Sequence, residues 1–391
     1  MSSPRTENIR ISIRFGFTMK KFLFLLLCSA GLVFCQPAFA VQKLPSSDCL
    51  DAKIGQMILV GFRGLLVDEG SPIVRDIRSK TIGGVILFDY DVPSGSHVRN
   101  IQSPHQVKTM VKKLKSFSDV PLFVAIDQEG GKVSRLKSCY GFPDSVSASF
   151  LGHADNLDET SRTAEITAQT LKDLGINVNF APVVDLNRNP ENPVIGELER
   201  SYSPDSSVVI RHARATIDAF HRYGVLCAIK HFPGHGSSDS DSHEGFVDVT
   251  DSWAPEELLP FEALIRLKKA DFVMTAHVMN RKLDPLWPAT LSTHILSGIL
   301  RINLVYTGVV ISDDLQMGAI RLNYSLERAI YRAILAGCDM LVFANNSIYD
   351  EMIASRAHSI IRKLVLQKNL ISPARINTSY KRIMALKSRL H

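Results

Sequence analysis

The sequence predicts an α/β chain folded as a single-domain (β/α)8 TIM-type barrel, and three observations lead there. Short runs rich in Val, Ile and Phe recur from residue 56 to residue 345, eight in all. Segments with apolar residues at three- and four-residue spacing separate most of them. The runs are apolar along their length, as strands buried on both faces of a parallel sheet are. A doubly wound open sheet shares this alternation and is the main alternative.

Taken in order, the predicted strands are "QMILVGF" (56–62), "GGVILF" (83–88), "PLFVAID" (121–127) and "INVNFAPVVD" (176–185) in the first half. "VLCAIKHF" (225–232), "FVMTAHV" (272–278), "TGVVISDD" (307–314) and "MLVFAN" (340–345) complete the eight. Between them, residues 105–117, 158–175 and 325–337 carry helical periodicity, and the last two end on a glycine suited to a C-cap. After the last strand, Ser372 is placed as an N-cap with Pro373 at the first helical position, predicting a terminal helix packed on the barrel. No internal repeat, low-complexity tract or Pro/Ser-rich linker follows residue 50.

The first 40 residues read differently. Met19-Lys20-Lys21, the apolar run "FLFLLLCSAGLVF" and then Ala38 and Ala40 have the layout of a secretory signal starting at Met19 and cleaved after Ala40. The run of 13 is short of the roughly 20 residues a spanning helix needs, so no stable membrane span is expected after its removal. Cys35 raises a lipoprotein alternative, which the bulky Phe34 before it disfavours. The expected mature chain, residues 41–391, would be periplasmic or secreted.

Without the leader the chain carries 40 basic and 38 acidic residues, a net charge of +2. The whole-chain excess of +6 therefore gives no case for a nucleic-acid partner. Cys49, Cys139, Cys227 and Cys338 lie far apart, which argues against a zinc ribbon or a CxxC redox site.

Reactive side chains fall where the strands end: Asp127, Asp185, Lys230 with His231, His277 and Asp313. Barrel active sites are assembled from strand C-terminal ends. The densest segment is "KHFPGHGSSDSDSHEGF" (230–246). Its His231, His235, Asp239, Asp241 and His243 are acceptable metal ligands, but no HExxH is present, and Glu244 stands where a calcium loop needs glycine. "GHGSSDS" also lacks the Lys-Ser/Thr ending of a phosphate-binding loop. A catalytic reading fits better, because Asp241 two residues before His243 can fix the imidazole tautomer and raise its basicity.

"VVISDDLQMGAI" adds Asp313 at a buried strand end, with Asp314 placed in the next turn as a helix cap. "AIDQEGGKVSRL" adds Asp127, Arg135 and two glycines expected to let a substrate approach the backbone. "NPENPVIGELERSYS" adds Arg200 on a Pro- and Asn-rich loop. Carboxylates and guanidinium groups that accept from and donate to several hydroxyls suit a sugar.

Together these four segments resemble glycoside hydrolase family 3, in particular its single-domain bacterial β-N-acetylhexosaminidases. The resemblance runs from about residue 50 to about residue 345. It implies a barrel, no cofactor or metal, and retention through a covalent glycosyl-enzyme. It also implies Asp313 as nucleophile, His243 as acid/base and Asp241 as its partner, with Asp127, Arg135, Arg200, Lys230 and His231 contacting the sugar. Two departures stand out: the loop before Arg200 is longer than the family's usual spacing, and Lys132 replaces a common arginine.

The expected activity is exo-hydrolysis of terminal β-linked N-acetylglucosamine from peptidoglycan fragments or chitin-like oligosaccharides. The sequence is expected to carry no second domain after the barrel, which would favour this over the β-glucosidase branch. A broader β-glycosidase, a metal-dependent barrel amidohydrolase and a catalytically silent wall-binding protein are the alternatives.

Overall fold

A computed structural model of the chain describes residues 50–390. The expected signal segment, its Ala40 cleavage site, and Cys28, Cys35 and Cys49 lie outside the described residues. Eight parallel strands close into a barrel: β1 Ile58–Gly61, β2 Gly84–Leu87, β3 Phe123–Ile126, β4 Val178–Asn179, β5 Leu226–Phe232, β6 Phe272–Thr275, β7 Val309–Asp314 and β8 Met340–Phe343. Each strand pairs with its sequence neighbours, and β1 closes on β8 through Ile58 opposite Leu341. Closure excludes the open doubly wound sheet. All eight predicted runs contain a strand.

The strands are buried on both faces because helices ring the barrel outside while side chains fill it inside. The predicted helices form at Pro104–Ser116, Leu157–Leu174 and Leu326–Ala336. Asn156 caps the second of these by accepting from the amides of Asp158 and Glu159, and Gly175 ends it with a positive φ of 79°. Among the described residues no helix is long and apolar enough to cross a membrane.

The last helix, Pro373–Lys387, begins as predicted, with the Ser372 hydroxyl accepting from the Arg375 amide. It closes the N-terminal end of the barrel. Lys387 is buried there, donating to Gln56 Oε1 at 2.6 Å and the Gly83 carbonyl at 2.7 Å, with its ammonium 4.7 Å from the Phe123 ring. A second anchor is the buried Asp339 carboxylate, which takes Arg301, Arg375 and Arg382 together. With one end sealed, the C-terminal ends of the strands are left to build a site.

Candidate active site

A cavity of about 600 Å³ opens at the C-terminal ends of the strands. Asp127, Arg135, Arg200, Lys230, His231, His243 and Asp313 all line it, and Asp241 stands behind His243. Residues 186 positions apart in the chain thus meet in one pocket because parallel strands send their C-terminal ends to the same face.

The end of β7 carries Asp313. Its Oδ1 accepts the Asp314 amide at 2.7 Å. Burial alone would raise its pKa, but the His277, His231 and His243 imidazoles outweigh burial and hold it below the usual carboxylate value. It is therefore ionised at neutral pH. Asp314 is the last residue of the strand, where a helix cap was expected. Its Oδ1 accepts the amides of Gln316 and Ala344, each at 3.0 Å, tying β7 to the end of β8. Burial pushes the Asp314 carboxyl up to about 6. The neighbouring acids thus divide into a free carboxylate and a bonded strut.

His277, at the end of β6, supports the same strand end. Its Nε2 donates to the Asp314 carbonyl at 2.9 Å, while Nδ1 meets the Thr290 hydroxyl at 2.7 Å. Burial lowers its pKa, so the ring is neutral.

The loop after β5 separates its three histidines into three tasks. His231 Nδ1 lies 2.7 Å from Asp185 Oδ2, and Nε2 accepts from Arg200 Nη2 at 3.3 Å, which places the ring proton on Nδ1. His235 is buried between the Ser238 and Ser242 hydroxyls, at 2.9 and 3.2 Å, and burial lowers it to about 4. It braces the loop as a neutral ring. His243 alone stands half-exposed on the cavity, with Nδ1 2.7 Å from Asp241 Oδ1. Asp241 Oδ1 also accepts the His243 amide at 2.7 Å.

Desolvation would lower the pKa of His243, but the Asp241 hydrogen bond and the Asp241 and Asp313 charges outweigh it and raise the value. The loop is fastened beside β7 by two amides: Gly318 donates to the His243 carbonyl at 3.0 Å and Ala319 to that of Ser242 at 3.1 Å. Because these tethers come from the turn just after Asp313, His243 and Asp313 share one scaffold. Gly236 allows the loop to pass under Leu186, whose carbonyl oxygen would lie 1.7 Å from an added Cβ.

The opposite wall is an ion network. Lys230 Nζ lies 2.8 Å from Asp127 Oδ1 and 2.6 Å from Glu129 Oε1. Arg200 grips Glu129 with Nε at 2.7 Å and Nη2 at 2.8 Å, and gives Nη1 to the Val194 carbonyl at 2.7 Å. The longer loop before Arg200 therefore still delivers its guanidinium to the site. Most of its donors are spent on the protein, so Arg200 sets Glu129 and His231 in place and has little left for a ligand. Lys132, on the cavity rim, donates to the Glu197 carbonyl at 2.8 Å and pairs with Glu199.

Sequence reasoning passed over Glu129. Burial would raise its pKa, yet the Arg200 and Lys230 cations hold it far below the usual range. The signal was present as two buried cations facing one recognised acid, Asp127. The glycines after it also do other work than expected. A Cβ on Gly130 would lie 2.2 Å from the Val146 carbonyl oxygen, and one on Gly131 2.6 Å from the Ser147 Cβ. Their φ values of 103° and 56° also favour glycine. They pack this turn against residues 145–147, and no substrate approach is needed to explain them.

The loop histidines and aspartates do not converge on a common point. Among the described residues, the three-residue group with metal-ligand spacing is His221, Cys227 and Asp271, at the other end of the barrel. There Asp271 is already bonded to His221 at 2.7 Å and paired with Arg389. Cys139, Cys227 and Cys338 are free thiols.

Residues 49–386 match the family model described as the glycosyl hydrolase family 3 N terminal domain. The chain belongs to glycosyl hydrolase family 3. A family 3 barrel was the expectation from its four motifs. The chain is 33% identical over 379 residues to a beta-hexosaminidase A of Pseudoalteromonas piscicida, covering 89% of this chain and 58% of that protein. A beta-hexosaminidase of Tolumonas auensis is 36% identical over 298 residues, covering 73% of this chain and 84% of the relative. A family 3 beta-N-acetylglucosaminidase from a Paenibacillus species superposes with a TM-score of 0.79 at 35% identity, over 87% of this chain and 62% of that one. This family 3 chain thus spans less than two thirds of the Pseudoalteromonas and Paenibacillus proteins.

Proposed function

We propose that this family 3 barrel is an exo-acting β-N-acetylhexosaminidase that cleaves with retention through a glycosyl-enzyme on Asp313. The observation that carries the reading is the Asp241–His243 pair standing on the same cavity as the ionised Asp313. Relatives named beta-hexosaminidase and beta-N-acetylglucosaminidase support the choice of sugar.

In the first step an Asp313 oxygen forms a bond to the anomeric carbon as the bond to the leaving oxygen breaks, and His243 Nε2 gives that oxygen its proton. This needs an imidazolium, which the raised pKa of His243 favours. In the second step the now neutral Nε2 takes a proton from water, whose oxygen bonds to the anomeric carbon and releases the Asp313 carboxylate. Throughout, Asp241 accepts from Nδ1 and keeps the second nitrogen toward the reaction.

The scheme uses Asp313, His243 and Asp241 and routes no step through a metal. The proposed substrates are N-acetylglucosamine-terminated wall fragments or chitin-like oligosaccharides. Export to the periplasm or beyond follows from the leader "MKKFLFLLLCSAGLVF".

The test is release of 4-nitrophenol from its β-N-acetylglucosaminide by residues 41–391, with and without chelator, beside Asp313→Asn. Chelator-resistant turnover that the variant loses supports the proposal. Silence of the intact chain, or turnover indifferent to Asp313, overturns it.

A further inference from the structure

The proposed reaction leaves a buried acid without a task beneath the loop that carries His243. Glu257, in the short turn Pro255–Leu258, is fully buried. Its Oε1 accepts the Ala254 amide at 3.4 Å, whereas Oε2 has no hydrogen-bond partner among the described residues. The carboxyl faces the Ser237 hydroxyl, which is buried and equally unpartnered. It also lies hard against the loop after β5, where a Cβ on Gly234 would come within 2.8 Å of Oε2.

Contacts lead from this point to His243. Trp253 Nε1 donates to the Pro233 carbonyl at 3.1 Å, and from the other side Asp185 Oδ1 accepts the His235 amide at 2.9 Å. Residues 233–237 are thus held between the segment bearing Glu257 and the segment bearing Asp185. His235 carries the position onward, because its Nε2 meets the Ser242 hydroxyl at 3.2 Å and Ser242 precedes His243.

No cation offsets a charge on Glu257. The groups acting on it are the Ser237 hydroxyl, the Asp185 carboxylate and the amides of Ala254 and Gly236. His235 in the facing loop is a neutral ring, and Glu256 in the same turn is exposed. Burial, with Asp185 adding to it, pushes the Glu257 carboxyl up to about 7.

We propose that Glu257 in its neutral form is a positioning residue for His243, its O–H donating to Ser237 Oγ and locking the base of the loop. Ionised, it would be a buried carboxylate near Asp185 without a counter-ion, a cost the loop relieves by moving away. The inference rests on the glycosidase reading for the task of His243.

The experiment compares the parent, Glu257→Gln and Glu257→Ala on 4-nitrophenyl β-N-acetylglucosaminide across the pH range. Glutamine stays neutral and keeps a donor for Ser237, so near pH 6 that variant should remain within about threefold of the parent. Alanine should lose roughly 10- to 100-fold, carried by kcat with KM little changed. His243 also loses its proton as pH rises, but it does so in the parent and both variants. At about pH 8 the neutral form of Glu257 is roughly 10-fold depleted, so the glutamine variant should exceed the parent about 10-fold. Superimposable profiles for parent and glutamine variant, or a glutamine variant as impaired as alanine near pH 6, would overturn the inference.

Two further readouts need no turnover. The folded pKa of Glu257 is raised, so the stability of its neutral form is complete below its unfolded value of about 4.3 and is lost as pH rises through about 7. The Tm of the parent should therefore match that of the glutamine variant near pH 4 and fall below it by about pH 8. The ring-proton NMR signals of His243 should shift in the alanine variant and hold in the glutamine variant near pH 6. A chain without turnover that shows both effects removes only the hydrolase proposal. Turnover with His243 signals indifferent to Glu257→Ala removes only this one.

Discussion

Replacing Glu129 with glutamine removes one charge from the buried network that holds Lys230 and Arg200. Glu129 is 6% exposed and makes contacts of 2.6 Å to Lys230 and 2.7 Å to Arg200. Asp127 would then be left to balance two buried cations. Breaking a buried pair by removing one partner costs about 3–5 kcal/mol. Unfolding entropy near 2.1 cal/mol/K per residue, over roughly 340 described residues, gives about 0.7 kcal/mol per degree, so Tm should fall by about 4–7 °C.

Scanning calorimetry at several pH values tests this. The folded pKa of Glu129 is depressed, so its stabilisation is complete above its unfolded value of about 4.3 and is lost as pH falls toward the folded value. The Tm gap between parent and variant should hold steady from neutral pH down to about 5 and narrow below about 4. Activity should fall roughly 100-fold, because Lys230 and Arg200 no longer share a fixed anchor. A Tm within about 1 °C of the parent at neutral pH would show that the network does not hold the site as described.

Asp241→Asn removes the main group raising the pKa of His243, so the alkaline limb of the kcat/KM profile should move to lower pH; an unmoved limb would separate the two residues. His243→Ala should slow hydrolysis most for poor leaving groups and least for 4-nitrophenol, and equal losses across a leaving-group series would deny His243 the role of acid. Gly236→Ala should lower both Tm and activity, because its Cβ would lie 1.7 Å from the Leu186 carbonyl oxygen and push the loop carrying His243 away; an alanine variant with the parent's Tm would contradict that packing.

Much of this molecule was legible in the sequence. Apolar runs such as "GGVILF" and "FVMTAHV" mark strands because a strand covered on both faces needs no polar alternation, and the count of eight leads to closure. Asp313, Asp127 and Lys230 were recognisable because polar groups at the end of such a run are expensive unless they are used. The Asp241–His243 pair was legible because its partners are two residues apart, a distance at which local chain geometry alone brings the groups together.

What lay beyond the sequence depends on residues far apart in the chain. Glu129 draws its importance from Lys230 and Arg200, 101 and 71 positions away, and Asp314 from the amide of Ala344 across the neighbouring strand. Gly130 and Gly131 looked like a place for substrate, but only the packed segment at 145–147 shows what presses on them. Periodicity and short spacing thus determined the barrel and the Asp241–His243 pair. The tertiary structure decided which buried charges face one another, because in a low-dielectric interior a carboxylate is defined by the cations that closure brings to it.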